Sequence, residues 1–258
     1  INPDNPTGMV YSVDMLKEIV EIAREFDLFI IADEVYQNLV FNDQKTESLG
    51  AVIGDVPGIS MKGISKEFPW PGSRCGWIEV YNGDKDEMFQ RYVASILNAK
   101  MLEVCSTTLP QMALPRVVSH PEYAGYLKER IMRYEKYSNI AYDYLKNIDG
   151  VIANRTNGAF YMSIAFRDWV LNDRQTLAIE NDQVRTHVEG LVSQPGVELD
   201  KRFVYYMLGS TGICVVPLSS FATSMQGFRT TILERDEAKF RMIFGNMADA
   251  IRAYIASA

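Results

Sequence analysis

Leu28-Phe29-Ile30-Ile31-Ala32-Asp33-Glu34-Val35-Tyr36 decides how the rest of the 258-residue chain is read. An unbroken apolar run that ends on an acid is the pattern of a short strand buried on both faces. Just before it, Ser12 offers a helix N-cap. Met15, Leu16, Ile19, Val20, Ile22, Ala23 and Phe26 then recur on one helical face, and Lys17, Glu18, Glu21, Arg24 and Glu25 fill the other. A helix running straight into a buried strand is the rhythm of an α/β protein, with a mostly parallel sheet and flanking helices. Such folds gather ligands outside the carboxyl ends of their strands, where Asp33 and Tyr36 fall. Taken alone, Asp33 reads equally as a cap or loop carboxylate, and Tyr36 as a packing tyrosine.

Further strands are predicted at 58–61 and 76–80, and a helix over 84–102, after which Pro110 and Pro115 interrupt the pattern. A long helix is predicted over 122–147, just beyond Pro121. Shorter, more mixed segments follow, with strands at 158–164, 215–218 and 229–233 and a last helix over 236–256. A domain boundary near residue 135 divides the chain into 1–135, a sheet-and-helix domain, and 136–258, a smaller α+β domain. Repeats and low-complexity tracts do not appear.

Apolar residues make up 47% of the chain and charged ones 23%, the balance of an ordinary globular protein. A net charge of −7 argues against nucleic acid or an anionic membrane as partner. No apolar run approaches the roughly 20 residues that span a bilayer. Cys75, Cys105 and Cys214 are odd in number and widely spaced, which suits free thiols in a reducing cytoplasm. Neither they nor His120 and His187 have the spacing of a metal site.

Four segments carry chemistry. Asn2-Pro3-Asp4-Asn5-Pro6-Thr7-Gly8 is a turn by composition. Asp33 and Tyr36 add a carboxylate and a phenol. Ser65-Lys66 follows an apolar stretch relaxed by Gly63. A lysine there is either a solvated charge or an amine that neighbouring cations make available as a nucleophile. Arg74, flanked by Gly72 and Gly76, offers a planar fork suited to phosphate. A carboxylate, a phenol, an amine and a guanidinium together are the groups that hold pyridoxal phosphate and work through it.

On these motifs the chain resembles the class I/II aminotransferases of the pyridoxal-phosphate fold-type I superfamily. The run Asn-Pro-x-Asn-Pro-Thr-Gly is the most specific element. The resemblance implies the C-terminal part of the large domain of that fold, plus its small domain. It makes Lys66 the lysine that carries the cofactor covalently and Asp33 the partner of the pyridine nitrogen. Tyr36 becomes a partner of the phenolic oxygen, Ser65 a cofactor contact and Arg74 a phosphate ligand. Asn5 is implied to touch both cofactor and substrate carboxylate. Asn157-Gly158-Ala159-Phe160-Tyr161 and Val215-Val216-Pro217-Leu218 look like strands of the small domain. Arg229, in Gly227-Phe228-Arg229-Thr230-Thr231, matches the arginine that grips the substrate α-carboxylate.

The implied protein is a homodimeric aminotransferase that moves an amino group between an amino acid and a 2-oxo acid. The same residues serve a lyase or decarboxylase on this fold, and related domains serve as non-catalytic sensors. Three departures stand out. Gly63 occupies the place of a serine that many members use on the phosphate, and the long interval between Lys66 and Arg229 suggests an insertion or extended loop at 168–201. The family's N-terminal glycine-rich loop and ring-stacking aromatic also have no counterpart here. The chain by itself is therefore expected to hold the cofactor weakly and to be inactive.

Overall fold

The computed structural model describes all residues, Ile1–Ala258. They divide into two compact units. The first takes Ile1–Asn5, Met9–Arg133 and Asn157–Ala159; the second takes Pro6–Gly8, Tyr134–Thr156 and Phe160–Ala258.

In the first unit α1 (Val13–Glu25) starts at Ser12, whose hydroxyl accepts the Met15 amide at 3.3 Å. β1 (Ile30–Asp33) pairs in parallel with β2 (Gly58–Gly63), and β2 pairs antiparallel with β3 (Gly76–Tyr81). The sheet, in the order β1-β2-β3, is therefore mixed. The short α2 (Leu49–Val52) joins β1 to β2, and α3 (Glu87–Lys100) and α4 (Thr108–Val118) follow β3. Val20 and Ala23 of α1 pack with Leu49, Ile53 and Val56, closing over Ile30 and Ala32. Phe29 meets Phe89 and Tyr92 of α3 at ring separations of 5.2 and 5.3 Å.

Two local expectations differ from the structure. The apolar run of β1 is not covered on both faces: β1 is the edge of this sheet, and Ile31 is 45% exposed. Ile19, Ile22 and Phe26 of α1 are likewise open. Pro110 and Pro115 do not break the chain into a loop, since both lie within α4. Pro110 stands in the first turn, where an amide would have no intrahelical partner, so its missing N–H costs nothing.

α5 (Tyr123–Leu145) belongs to both units, which part between Arg133 and Tyr134. In the second unit β4 (Val151–Ala153), β5 (Tyr161–Phe166), β7 (Gly227–Thr231) and β6 (Val216–Pro217) form an antiparallel sheet in that order. All six residues of β5 are buried, as befits a central strand. Phe203 of α7 (Leu199–Thr211) packs on Phe166, Phe228 and Tyr254, with ring separations of 5.1, 5.4 and 5.1 Å. Tyr254 comes from α8 (Glu237–Ile255). The 168–201 segment is not a bare loop, because it contains α6 (Asp182–Val192) and the start of α7. No helix is long and apolar enough to cross a membrane.

Asp200 organises the approach to β7. It is fully buried, and its carboxylate accepts the Ser219 amide and hydroxyl at 2.9 and 2.8 Å and the Gly227 amide at 3.4 Å. Removing it leaves a buried amide at Gly227 without its acceptor. Asp200→Ala should therefore destabilise the protein by about 3 kcal/mol. A fall in thermal midpoint of several degrees by circular dichroism is expected, and an unchanged midpoint would show that these bonds contribute nothing net.

Candidate active site

Three segments of the first unit meet at one end of its sheet. β1 runs out at Asp33, and the next amide, Glu34 N–H, donates to the Met61 carbonyl of β2 at 3.0 Å. Asp33 is half-buried, and its carboxylate accepts the Val35 amide at 3.2 Å. The turn it starts carries Tyr36 inward, where it is buried. Past β2 the chain forms a compact loop closed by the Trp70 amide on the Ile64 carbonyl at 3.0 Å, and Ser65 and Lys66 sit in that loop. The Lys66 ammonium lies over the Tyr36 ring, 5.9 Å from its centre.

The β2–β3 pairing extends one step further, with the Ile64 amide on the Cys75 carbonyl at 3.3 Å. This brings Arg74 beside the loop that holds Ser65 and Lys66. Arg74 has a left-handed backbone (φ 52°), is exposed, and donates from its guanidinium to the Pro71 carbonyl at 2.8 Å. The Asn-Pro turn begins against the end of β1, where the Asn2 amide donates to the Asp33 carbonyl at 3.1 Å. Asn5 is half-buried a few residues along that turn. Gly8 closes the turn at φ 70°, where a Cβ would stand 2.5 Å from the Tyr161 carbonyl, so only glycine fits.

Arg229 belongs to the second unit, in the middle of β7. Its guanidinium lies over two rings, 4.6 Å from the centre of Tyr161 and 5.1 Å from that of Phe221. Contact with aromatic faces limits how the fork can turn.

Residues that the sequence reading did not single out support this cluster. Glu34, next to Asp33, is buried and pairs with Lys62 of β2 at 2.8 Å; its other oxygen accepts the Leu49 amide at 2.6 Å. Lys62 also donates to Gln37 at 2.7 Å, so one ammonium ties the Asp33–Tyr36 turn to β2. Glu67, next to Lys66, is buried and accepts from Asn38 at 2.9 Å and from the Tyr123 hydroxyl. Burial and the Glu67 carboxylate push the Tyr123 phenol far above its usual range, which keeps it a donor. Adjacency to Asp33 and Lys66 was the one available signal for Glu34 and Glu67; Tyr123 had none.

The first unit thus gathers Asp33, Tyr36, Ser65, Lys66 and Arg74, with the Asn5 turn set against the same strand end. Comparison with known proteins agrees with the motifs. The family model for aminotransferase class I and II matches residues 1–243. The chain belongs to that family. It is 57% identical to an uncharacterized aminotransferase of Methanocaldococcus jannaschii, over 99% of this chain and 59% of the relative. It is 31% identical to the glutamate-pyruvate aminotransferase AlaA of Escherichia coli, over 70% of this chain and 44% of that one. The alanine aminotransferase of Pyrococcus furiosus superposes with a TM-score of 0.76 at 25% identity, covering 100% of this chain and 56% of that structure. The chain therefore spans about half the length of the relatives it matches, and its fold is that of the solved aminotransferase structures it superposes on.

Breaking a buried ion pair from one side leaves an uncompensated charge, at a cost of about 3–5 kcal/mol. Lys62→Met should accordingly destabilise the protein by about that amount, and adding Glu34→Gln should recover part of the loss. Urea unfolding of the two single variants and the double variant measures the coupling. Strictly additive effects would show that the pair does not act as a unit.

Proposed function

We propose that this protein is a pyridoxal-phosphate-dependent aminotransferase, acting on an amino acid and a 2-oxo acid as a cytoplasmic homodimer. The observation that carries the reading is the convergence at Lys66. An amine lies over a buried tyrosine ring, on a loop beside the strand end that bears Asp33, with Arg74 next to the same loop. Three free cysteines accord with a reducing compartment.

The donor set suits pyridoxal 5′-phosphate. It contains a carboxylate for the ring nitrogen, a phenol for the ring oxygen, an amine for the aldehyde, and a hydroxyl and guanidinium for the phosphate. There is open space on the Arg74 side of this set, since a Cβ built at Gly72 meets nothing within 4 Å. When bound, the cofactor supplies an electron sink that makes the substrate Cα–H acidic.

Each residue then has a definite task. Lys66 Nζ would hold the cofactor covalently, and as a free amine it would carry a proton to and from the substrate Cα. Asp33 keeps the ring nitrogen protonated through an ion pair that a neutral side chain cannot supply. The Tyr36 hydroxyl donates to the ring oxygen, while Ser65 and Arg74 hold the phosphate. Arg229 is the grip for the substrate carboxylate, through two parallel hydrogen bonds, and Asn5 is a donor toward the cofactor at the end of β1. The Escherichia coli relative is named for glutamate and pyruvate, so these form the first pair to test.

The test is amino transfer from glutamate to pyruvate with pyridoxal phosphate present, in a protein of the relatives' full length, since the 258 residues by themselves are expected to be inactive. Lys66→Ala should abolish it. Asp33→Asn should lower kcat with little change in KM, because the lost interaction matters at the chemical step. Arg229→Lys should raise KM about tenfold through loss of the planar two-point grip. Ammonia or carbon dioxide released without a 2-oxo acid would instead indicate elimination or decarboxylation. Undiminished activity in Lys66→Ala would overturn the reading.

A further inference from the structure

Around Lys66 the first unit builds more than a loop. Arg130, buried on α5, donates from one guanidinium nitrogen to the Glu67 carbonyl and from the other to the Lys66 carbonyl at 3.2 Å. The Glu67 side chain is held at both oxygens, by Asn38 at 2.9 Å and by the Tyr123 hydroxyl. Tyr123 is itself stacked on Phe68, with ring centres 5.2 Å apart and planes 9° apart. The peptide unit of Lys66 is thus gripped at its carbonyl from α5. Its neighbour's side chain is anchored both to the Tyr36 turn, through Asn38, and to α5, through Tyr123. Such a grip is more than the loop needs to close, because the Trp70–Ile64 hydrogen bond already closes it.

We propose that Arg130, Glu67, Tyr123 and Asn38 form a buried clamp on the Lys66 peptide, making Arg130 and Tyr123 positioning residues for the amine. The physical reason is the stem of lysine. Four methylenes leave Nζ free to sweep a wide arc, and reactivity with a bound aldehyde needs it confined to a small part of that arc. A backbone fixed at both the Lys66 and Glu67 carbonyls sets the origin and direction of the stem. The Tyr36 ring below the ammonium then limits where its tip rests. Glu67, the carboxylate nearest to Lys66 in sequence, is occupied on both oxygens and directed into the clamp. This inference rests on Lys66 being the lysine that takes the cofactor.

Two readouts test it on the whole chain. The first is borohydride trapping of pyridoxal phosphate, mapped by peptide mass spectrometry, with the rate at Lys66 divided by that at the exposed Lys17. The second is hydrogen exchange of the peptide covering 64–70, which needs no cofactor. Tyr123→Phe keeps the ring on Phe68 and loses only the hydroxyl. It should lower the Lys66:Lys17 ratio and speed exchange of the loop, each by about tenfold, while the thermal midpoint falls by only a few degrees. Arg130→Gln should do the same more strongly, and Arg130→Lys should restore part of the effect. If Arg130→Gln does not fold, Tyr123→Phe decides. Label on Lys66 at an unchanged ratio in Tyr123→Phe overturns the clamp, whether or not exchange has risen. A wild-type chain labelled chiefly on another lysine overturns the assignment of Lys66 itself and, with it, this inference.

Discussion

Everything in the first unit depends on β2 being paired on both sides. Its parallel partner β1 delivers Asp33 and the Tyr36 turn, and its antiparallel partner β3 brings back Arg74. Lys66 leaves from β2 itself. No other strand of this sheet touches both neighbours, so the register of β2 sets where the carboxylate, the amine and the guanidinium lie. Ser60 at its centre is fully buried, and Gly58 at its start has no space for a side chain: a Cβ there would stand 2.5 Å from the Ile53 side chain. A one-residue slip would turn every side chain of β2 to the opposite face.

Backbone pairing brings the segments together but does not by itself hold the side chains still. Two buried polar devices do that, on either side of Lys66. The Lys62–Glu34–Gln37 group ties the Asp33–Tyr36 turn to β2. The Arg130–Glu67–Tyr123–Asn38 group ties the lysine loop to α5 and to that same turn. Buried charges are costly unless paired, and both groups pair theirs nearly completely, as a site that must be rigid requires. The second unit supplies an analogous device, with Asp200 fixing the segment that leads into β7 and Arg229 set over two rings.

Much of this was legible in the sequence because its signals are local. Ser12 caps α1 as its position implied, and the chemistry-bearing residues sit in short motifs next to strand ends. What was not legible depends on partners distant in sequence. β3 returns antiparallel to β2 after the loop 64–75, which contains the short turn Pro71–Ser73, and no residue of 76–81 records that sense. Pro110 and Pro115 look like breakers, yet one sits where its missing amide is harmless and the other is accommodated inside α4. Tyr123 and Arg130 reach the lysine loop from α5 across a wide stretch of chain, and neither has a motif. The apolar face of α1 was read correctly as a stripe, but a stripe does not say how much of it a neighbour covers: Phe26 is 63% exposed.

The central claim is that Asp33, Tyr36, Ser65, Lys66 and Arg74 form a single cofactor cradle in the first unit. Its most direct test is a crystal structure of the protein after pyridoxal phosphate has been fixed to it with borohydride. The account predicts the pyridoxyl group on Lys66. Its ring nitrogen should lie within hydrogen-bond distance of the Asp33 carboxylate and its ring oxygen against the Tyr36 hydroxyl, with the phosphate between Ser65 and Arg74. A pyridoxyl group on Lys66 whose ring nitrogen faces solvent, with Asp33 turned elsewhere, would contradict it.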